Sequence, residues 1–113
     1  MKKEIVNFQD WEKLELRVGK IIEVNEIEGA DKLYKLKVDL GSDVGERVVC
    51  AGIKEYYSKE ELHNKKVILF VNLEPRKLRG IESQGMVLAA DDGEGKVILI
   101  SPEKDIEIGS RVY

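Results

Sequence analysis

The sequence predicts an all-β fold: one small barrel of five principal strands with Greek-key connections, short helices and a C-terminal extension. Three observations carry this. Apolar and polar residues alternate with period two in stretches from Leu14 and over Leu33–Leu40, a nearly continuous apolar run follows at 66–73, and a helix signal precedes that run.

Asn7, followed by Asp10, Trp11 and Leu14, reads as a capped helix of about two turns, the Asn side chain taking up free N–H groups of the first turn. From Leu14 the pattern turns to strand: Leu16 and Val18 fall on one side of the pleat, Arg17 and Gly19 on the other, and the run continues through Ile21, Ile22 and Val24. Gly19 inside this long strand suggests a bulge or sharp bend, which a small barrel needs at its corners.

A loop from Glu28 to Lys32 leads into Leu33–Leu40, where Tyr34, Leu36, Val38 and Leu40 alternate with Lys35, Lys37 and Asp39. Gly41–Gly45 reads as a turn and Arg47–Ala51 as the third strand. Ser58 and Glu61 have capping-box spacing, which places a short helix carrying Leu62 before the fourth strand.

That fourth strand, Lys66–Leu73, has the unbroken apolar character of a strand covered on both faces, and Pro75 ends it. Arg76–Gly80 then reads as a short extended arm, Gly85–Ala90 as a fifth strand, and Asp91–Gly95 as a turn before Val97–Ile100. Five strands with a helix between the third and fourth is the connectivity of the OB-fold. A chain of 113 residues is sized for one such domain, so residues 1–113 are read as a single unit.

Charged residues make up 36% of the chain and the net charge is −3. An acidic balance argues against indiscriminate polyanion binding, yet the charge is unevenly spread. Between Lys65 and Gly80 five cations (Lys65, Lys66, Arg76, Lys77, Arg79) face one anion, Glu74. A basic segment in an acidic protein suits a limited electrostatic footprint on a nucleic acid.

Catalytic chemistry is not suggested. His63 has no second histidine or thiol partner and is expected to be a solvated residue, so neither a zinc site nor an acid–base triad can be assembled from typical groups. Cys50, the single cysteine, lies in an apolar run and is expected to be a small core residue. Gly93 and Gly95 before Lys96 lack phosphate-loop spacing and read as a hairpin turn. No cofactor and no metal are expected. The sequence has neither a membrane-length apolar run nor a signal pattern, so a cytoplasmic location is expected.

The stretch from Asn72 to Met86 carries the functional signal. Arg76, Lys77 and Arg79 can meet phosphates; Asn72, Ser83 and Gln84 can reach sugars or base edges; Met86 offers a polarizable surface to an exposed base. Here the sequence resembles the tRNA-binding domain family, found at the C-terminus of methionyl-tRNA synthetases and as a free-standing dimeric protein. Leu16-Arg17-Val18-Gly19-Lys20, Gly29-Ala30-Asp31-Lys32-Leu33-Tyr34, Ala51-Gly52-Ile53 and Pro75-Arg76-Lys77-Leu78-Arg79-Gly80 with Ser83-Gln84-Gly85-Met86 are the matching blocks.

The resemblance implies a barrel that binds the outer corner of tRNA by shape, through Lys32, Asn72, Arg76, Lys77, Arg79, Ser83, Gln84 and Met86. Glu74 departs from the family pattern, which often has a basic or small residue there, and its charge opposes phosphate approach. The resemblance also implies a homodimer formed through the region after the barrel, about residues 97–113. Val97-Ile98-Leu99-Ile100 is apolar on both faces, and Ile106, Ile108 and Val112 extend that apolar surface, so Leu99, Ile106, Ile108 and Val112 are the expected interface. An aminoacyl-tRNA synthetase catalytic subunit is a further expected partner. A CsaA-like dimeric chaperone for unfolded polypeptide uses the same barrel and is the alternative, although such proteins generally lack the Ala-Asp-Lys-Leu-Tyr and Ser-Gln-Gly-Met blocks.

Overall fold

The computed structural model describes residues 2–113. Strand β1 (Leu16–Glu26) is the hub: β2 (Tyr34–Asp39) and β4 (Lys66–Phe70) flank it antiparallel, and β3 (Glu46–Ala51) lies beyond β2. Inward residues of these strands, among them Ile21, Leu36, Val38, Val49, Val67 and Leu69, form the main core with Leu40 and Leu62. The Asn7 cap stands as expected at α1 (Phe8–Glu12), its Oδ1 accepting from the Asp10 N–H at 2.8 Å. The Ser58–Glu61 capping box opens α2 (Lys59–Leu62), whose Leu62 is fully buried.

Gly19 is not the bulge. The register shifts between Ile21 and Glu23, and Gly19 instead faces inward where a Cβ would stand 2.5 Å from Val38 Cγ1. The requirement at Gly19 is space for the core.

Beyond β4 the chain breaks into short pieces. β5 (Arg76–Leu78) and β6 (Ile81–Ser83) form a hairpin whose two central turn residues, Arg79 (φ 52°) and Gly80 (φ 80°), both take positive φ, as a tight primed turn requires. β7 (Met86–Val87) pairs with β4, and β8 (Ala89–Asp91) pairs with β9 (Val97–Leu99). The single fifth strand expected over Gly85–Ala90 is therefore two pieces, interrupted at Leu88, whose N–H crosses to Ile68 and whose carbonyl accepts from Ile100.

The barrel closes through side chains. Ser83 Oγ accepts from the Cys50 N–H at 2.9 Å, Gln84 Oε1 from the Val48 N–H at 3.0 Å, and the Gln84 N–H donates to the Val48 carbonyl at 2.8 Å. The outer edge of β3 is thus joined to the segment that next pairs with β4. Gly85 makes the crossing possible: at φ 143°, a Cβ there would stand 2.8 Å from the Phe70 carbonyl.

The C-terminal segment folds back on the barrel. β10 (Arg111–Val112) takes the part of the β1 edge that β2 leaves free, with Leu16 opposite Val112 and Arg17 opposite Arg111. Val112, Phe70 and Leu88 cover a second apolar cluster of Leu16, Val18 and Ile68 on the outer face. Among the described residues no helix is long and apolar enough to cross a membrane.

Replacing Ser83 by Ala leaves the Cys50 N–H without its partner at a buried seam. The expected cost is about 1–3 kcal/mol, read as a fall of several degrees in a circular-dichroism melt, whereas Lys77→Ala on the exposed hairpin face should leave the melt unchanged.

Candidate nucleic-acid interface

The β5–β6 hairpin stands beside a groove of about 450 Å³. Pairing sets Arg76 opposite Ser83 and Lys77 opposite Glu82, and side chains alternate across the ribbon. Arg76 and Leu78 consequently line the groove, while Lys77 does not. Arg79, at the tip, reaches toward the loop before β2: its Nη1 lies 3.9 Å from where a Cβ on Gly29 would stand. Lys32 is exposed on that same loop, next to Leu33 in the groove wall. Lys32, Arg76, Lys77 and Arg79 make no salt bridge among the described residues, whereas Lys37, Lys54, Lys59 and Lys66 are each held against a carboxylate.

Met86, 44% exposed, lies at the groove with its thioether available. Tyr56, 41% exposed, lines it as well. Sequence reasoning missed Tyr56. The signal was the Tyr56-Tyr57 pair after the third strand: Tyr57 accepts the Leu99 N–H on its hydroxyl and the Tyr34 hydroxyl on its carbonyl, which leaves Tyr56 as the outward ring.

Three nominated contacts have work inside the fold. Ser83 lines the groove, but its hydroxyl is buried and hydrogen-bonded to Cys50 and Gly85. Gln84 Oε1 is bound to Val48. Asn72, although exposed, clamps the segment after α1: its Oδ1 accepts from the Glu15 N–H and its Nδ2 donates to the Lys13 carbonyl, both at 2.7 Å. These polar side chains hold the walls of the site in place.

Cys50 also departs from expectation. It is half-buried in the groove wall rather than in the core, and burial pushes its thiol pKa up against a smaller downward pull from Lys35. A raised pKa keeps it in the unreactive thiol form.

A match to the tRNA_bind family model, described as "Putative tRNA binding domain", spans residues 16–111. The chain belongs to the tRNA-binding domain family. This tRNA-binding domain is 60% identical over 109 residues to a methionine–tRNA ligase of Pyrococcus horikoshii, and 51% identical over 108 residues to that of Nanoarchaeum equitans. Each match covers 96% of this chain, but only 15% and 14% of the relatives' own length. Among solved structures, a MetRS related protein from Pyrococcus horikoshii superposes with TM-score 0.90 at 38% identity, covering 98% of this chain and all of the other. A CsaA chaperone protein from Picrophilus torridus gives 0.87 at 36%, covering 96% and all of the other. The tRNA-binding domain thus shares its barrel with synthetase-related and chaperone proteins alike.

For Met86→Ala the expectation is weaker tRNA binding by filter retention with little change in melting temperature, because a side chain this exposed contributes little to the core.

Proposed function

We propose that this domain is a non-catalytic tRNA carrier that grips the outer corner of tRNA by shape, with a homodimer supplying two grooves to one tRNA. The observation that supports it best is the hairpin, whose Arg76, Lys77 and Arg79 make no salt bridge among the described residues, beside a groove with exposed Tyr56 and Met86. Lys77 and Arg79 suit phosphates, and the groove suits an unstacked base. A synthetase catalytic subunit, on the same chain or bound to it, is the natural beneficiary of such affinity, and the cytoplasm is where that partnership would operate.

For the dimer, Ile98, Ile100 and Ile106 of the C-terminal segment are 52%, 42% and 46% exposed and are the apolar residues there that a partner would cover. Leu99 does not belong to it: it is 4% exposed, in the main core, and a charge there would unfold the domain. Ile108 is half-buried, and Val112 packs on the outer face of its own barrel. In sedimentation the wild type should run as a dimer at micromolar concentration, and Ile98→Lys with Ile106→Lys as a monomer of reduced tRNA affinity. A wild-type monomer that binds tRNA as tightly would reject the dimer.

The direct test of tRNA binding is its salt dependence. Log affinity should fall linearly with log salt, and Lys77→Ala or Arg79→Ala should each lower the slope by about 1 while weakening all tRNAs alike. The second reading, an unfolded-polypeptide chaperone, is favoured by the superposition on CsaA proteins and by the apolar groove floor. Labelled tRNA against labelled unfolded peptide at equal ionic strength separates the two.

A further inference from the structure

Glu74 is the feature that a purely phosphate-binding surface leaves unexplained. It lines the groove together with Arg76, two residues on. Pro75 between them restricts Glu74 to extended backbone, and in an extended segment alternate residues project to the same side. The pair does not neutralise itself, since no Glu74–Arg76 salt bridge exists among the described residues. Nor does Glu74 accept any side-chain or backbone hydrogen bond there, in contrast to Asp91, which also lines the groove and accepts from the Gly93 N–H. The groove therefore offers an uncommitted carboxylate and an uncommitted guanidinium side by side, with Tyr56 and Met86 exposed between the same walls.

Resting on the tRNA reading above, we infer that this groove is a guanine-selective base pocket, in which Glu74 reads the Watson–Crick edge of one unpaired guanine. A carboxylate only accepts hydrogen bonds, so it repels phosphate but complements a donor edge. Guanine presents two adjacent donors, N1–H and the N2 amine, which match the two carboxylate oxygens. Adenine and cytosine present one amine beside a ring acceptor, and uracil one N–H between two carbonyls, so each leaves an oxygen facing a lone pair. Guanine's other face carries the O6 and N7 acceptors, for which the fork of an arginine is the usual partner. Glu74 and Arg76 thus supply an acceptor and a donor group for the donors and acceptors of the same base, and the exposed Tyr56 ring and Met86 thioether supply the stacking surface. The groove volume lies within the range of small-molecule sites.

Kethoxal, which reacts with guanine at N1 and N2, reports on these atoms directly. In tRNA saturated with the 113-residue chain, one unpaired guanine should be modified at least about fivefold more slowly, the low end of what a good base contact supplies. Glu74→Gln, at a concentration that again saturates the tRNA, should restore its reactivity, with an unchanged melting temperature showing that the domain is folded. Bound wild-type protein that slows no guanine, or a Glu74→Gln protein that protects as well as wild type, overturns the guanine pocket and leaves the tRNA reading standing. Failure of the wild type to bind tRNA at all overturns the tRNA reading itself.

Discussion

The seam between β3 and β4 is where the fold and the interface depend on the same few hydrogen bonds. β3 is the last strand of its sheet on one side, and its outward N–H groups at Val48 and Cys50 need acceptors. A regular strand would provide backbone carbonyls; here Gln84 Oε1 and Ser83 Oγ provide them, and one backbone bond from Gln84 joins in. Because these side chains take the place of a longer ladder, β6 can be only three residues and the chain can cross at once, through Gly85, to pair with β4. The hairpin that bears Arg76, Lys77 and Arg79 is rooted in this seam. Its position relative to the groove is consequently set by a buried hydroxyl and a glycine.

Electrostatics follow from the same placement. Several lysines of the barrel are held by carboxylates: Lys37 by Glu23 at 2.8 Å, Lys54 and Lys59 by Glu26, and Lys66 by Asp105 at 2.7 Å. Lys37 in turn keeps the Glu23 carboxyl below its ordinary range, and Lys66 does so for Asp105. Exposed pairs of this kind contribute little to stability. Their larger effect is on the field, because they offset charge across the barrel while Arg76, Lys77 and Arg79 make no salt bridge among the described residues. An acidic protein can in this way present a basic edge.

Much of the fold was legible in the sequence because it rests on local rules. The alternation in Leu33–Leu40 identified a strand with Leu36 and Val38 inside, the unbroken run at Val67–Val71 identified a strand buried on both faces, and the Asn7 and Ser58 caps fall where the side-chain chemistry requires them. The cationic segment was legible as an extended arm over Arg76–Gly80, but its hairpin was not, since the turn needs Arg79 at φ 52°, which a non-glycine residue seldom adopts and its letter does not signal. Gly19 shows the limit: a glycine in a strand signals some special requirement, but bulge and crowding give the same letter.

By itself, then, the sequence determined the barrel, its short helices and the cationic segment, because periodicity, capping and turn chemistry act over a few residues. Only the tertiary structure decided which polar residues are free to meet a ligand. Ser83, Gln84 and Asn72 have the same hydrogen-bonding groups as ligand contacts would, and their partners Cys50, Val48 and Glu15 lie 33, 36 and 57 positions away. The same holds for Leu99, whose apolar side chain suits a core or an interface equally until Tyr57 fixes its strand over the barrel. A polar or apolar side chain carries no mark of which neighbour will satisfy it, and that choice is made when distant strands meet.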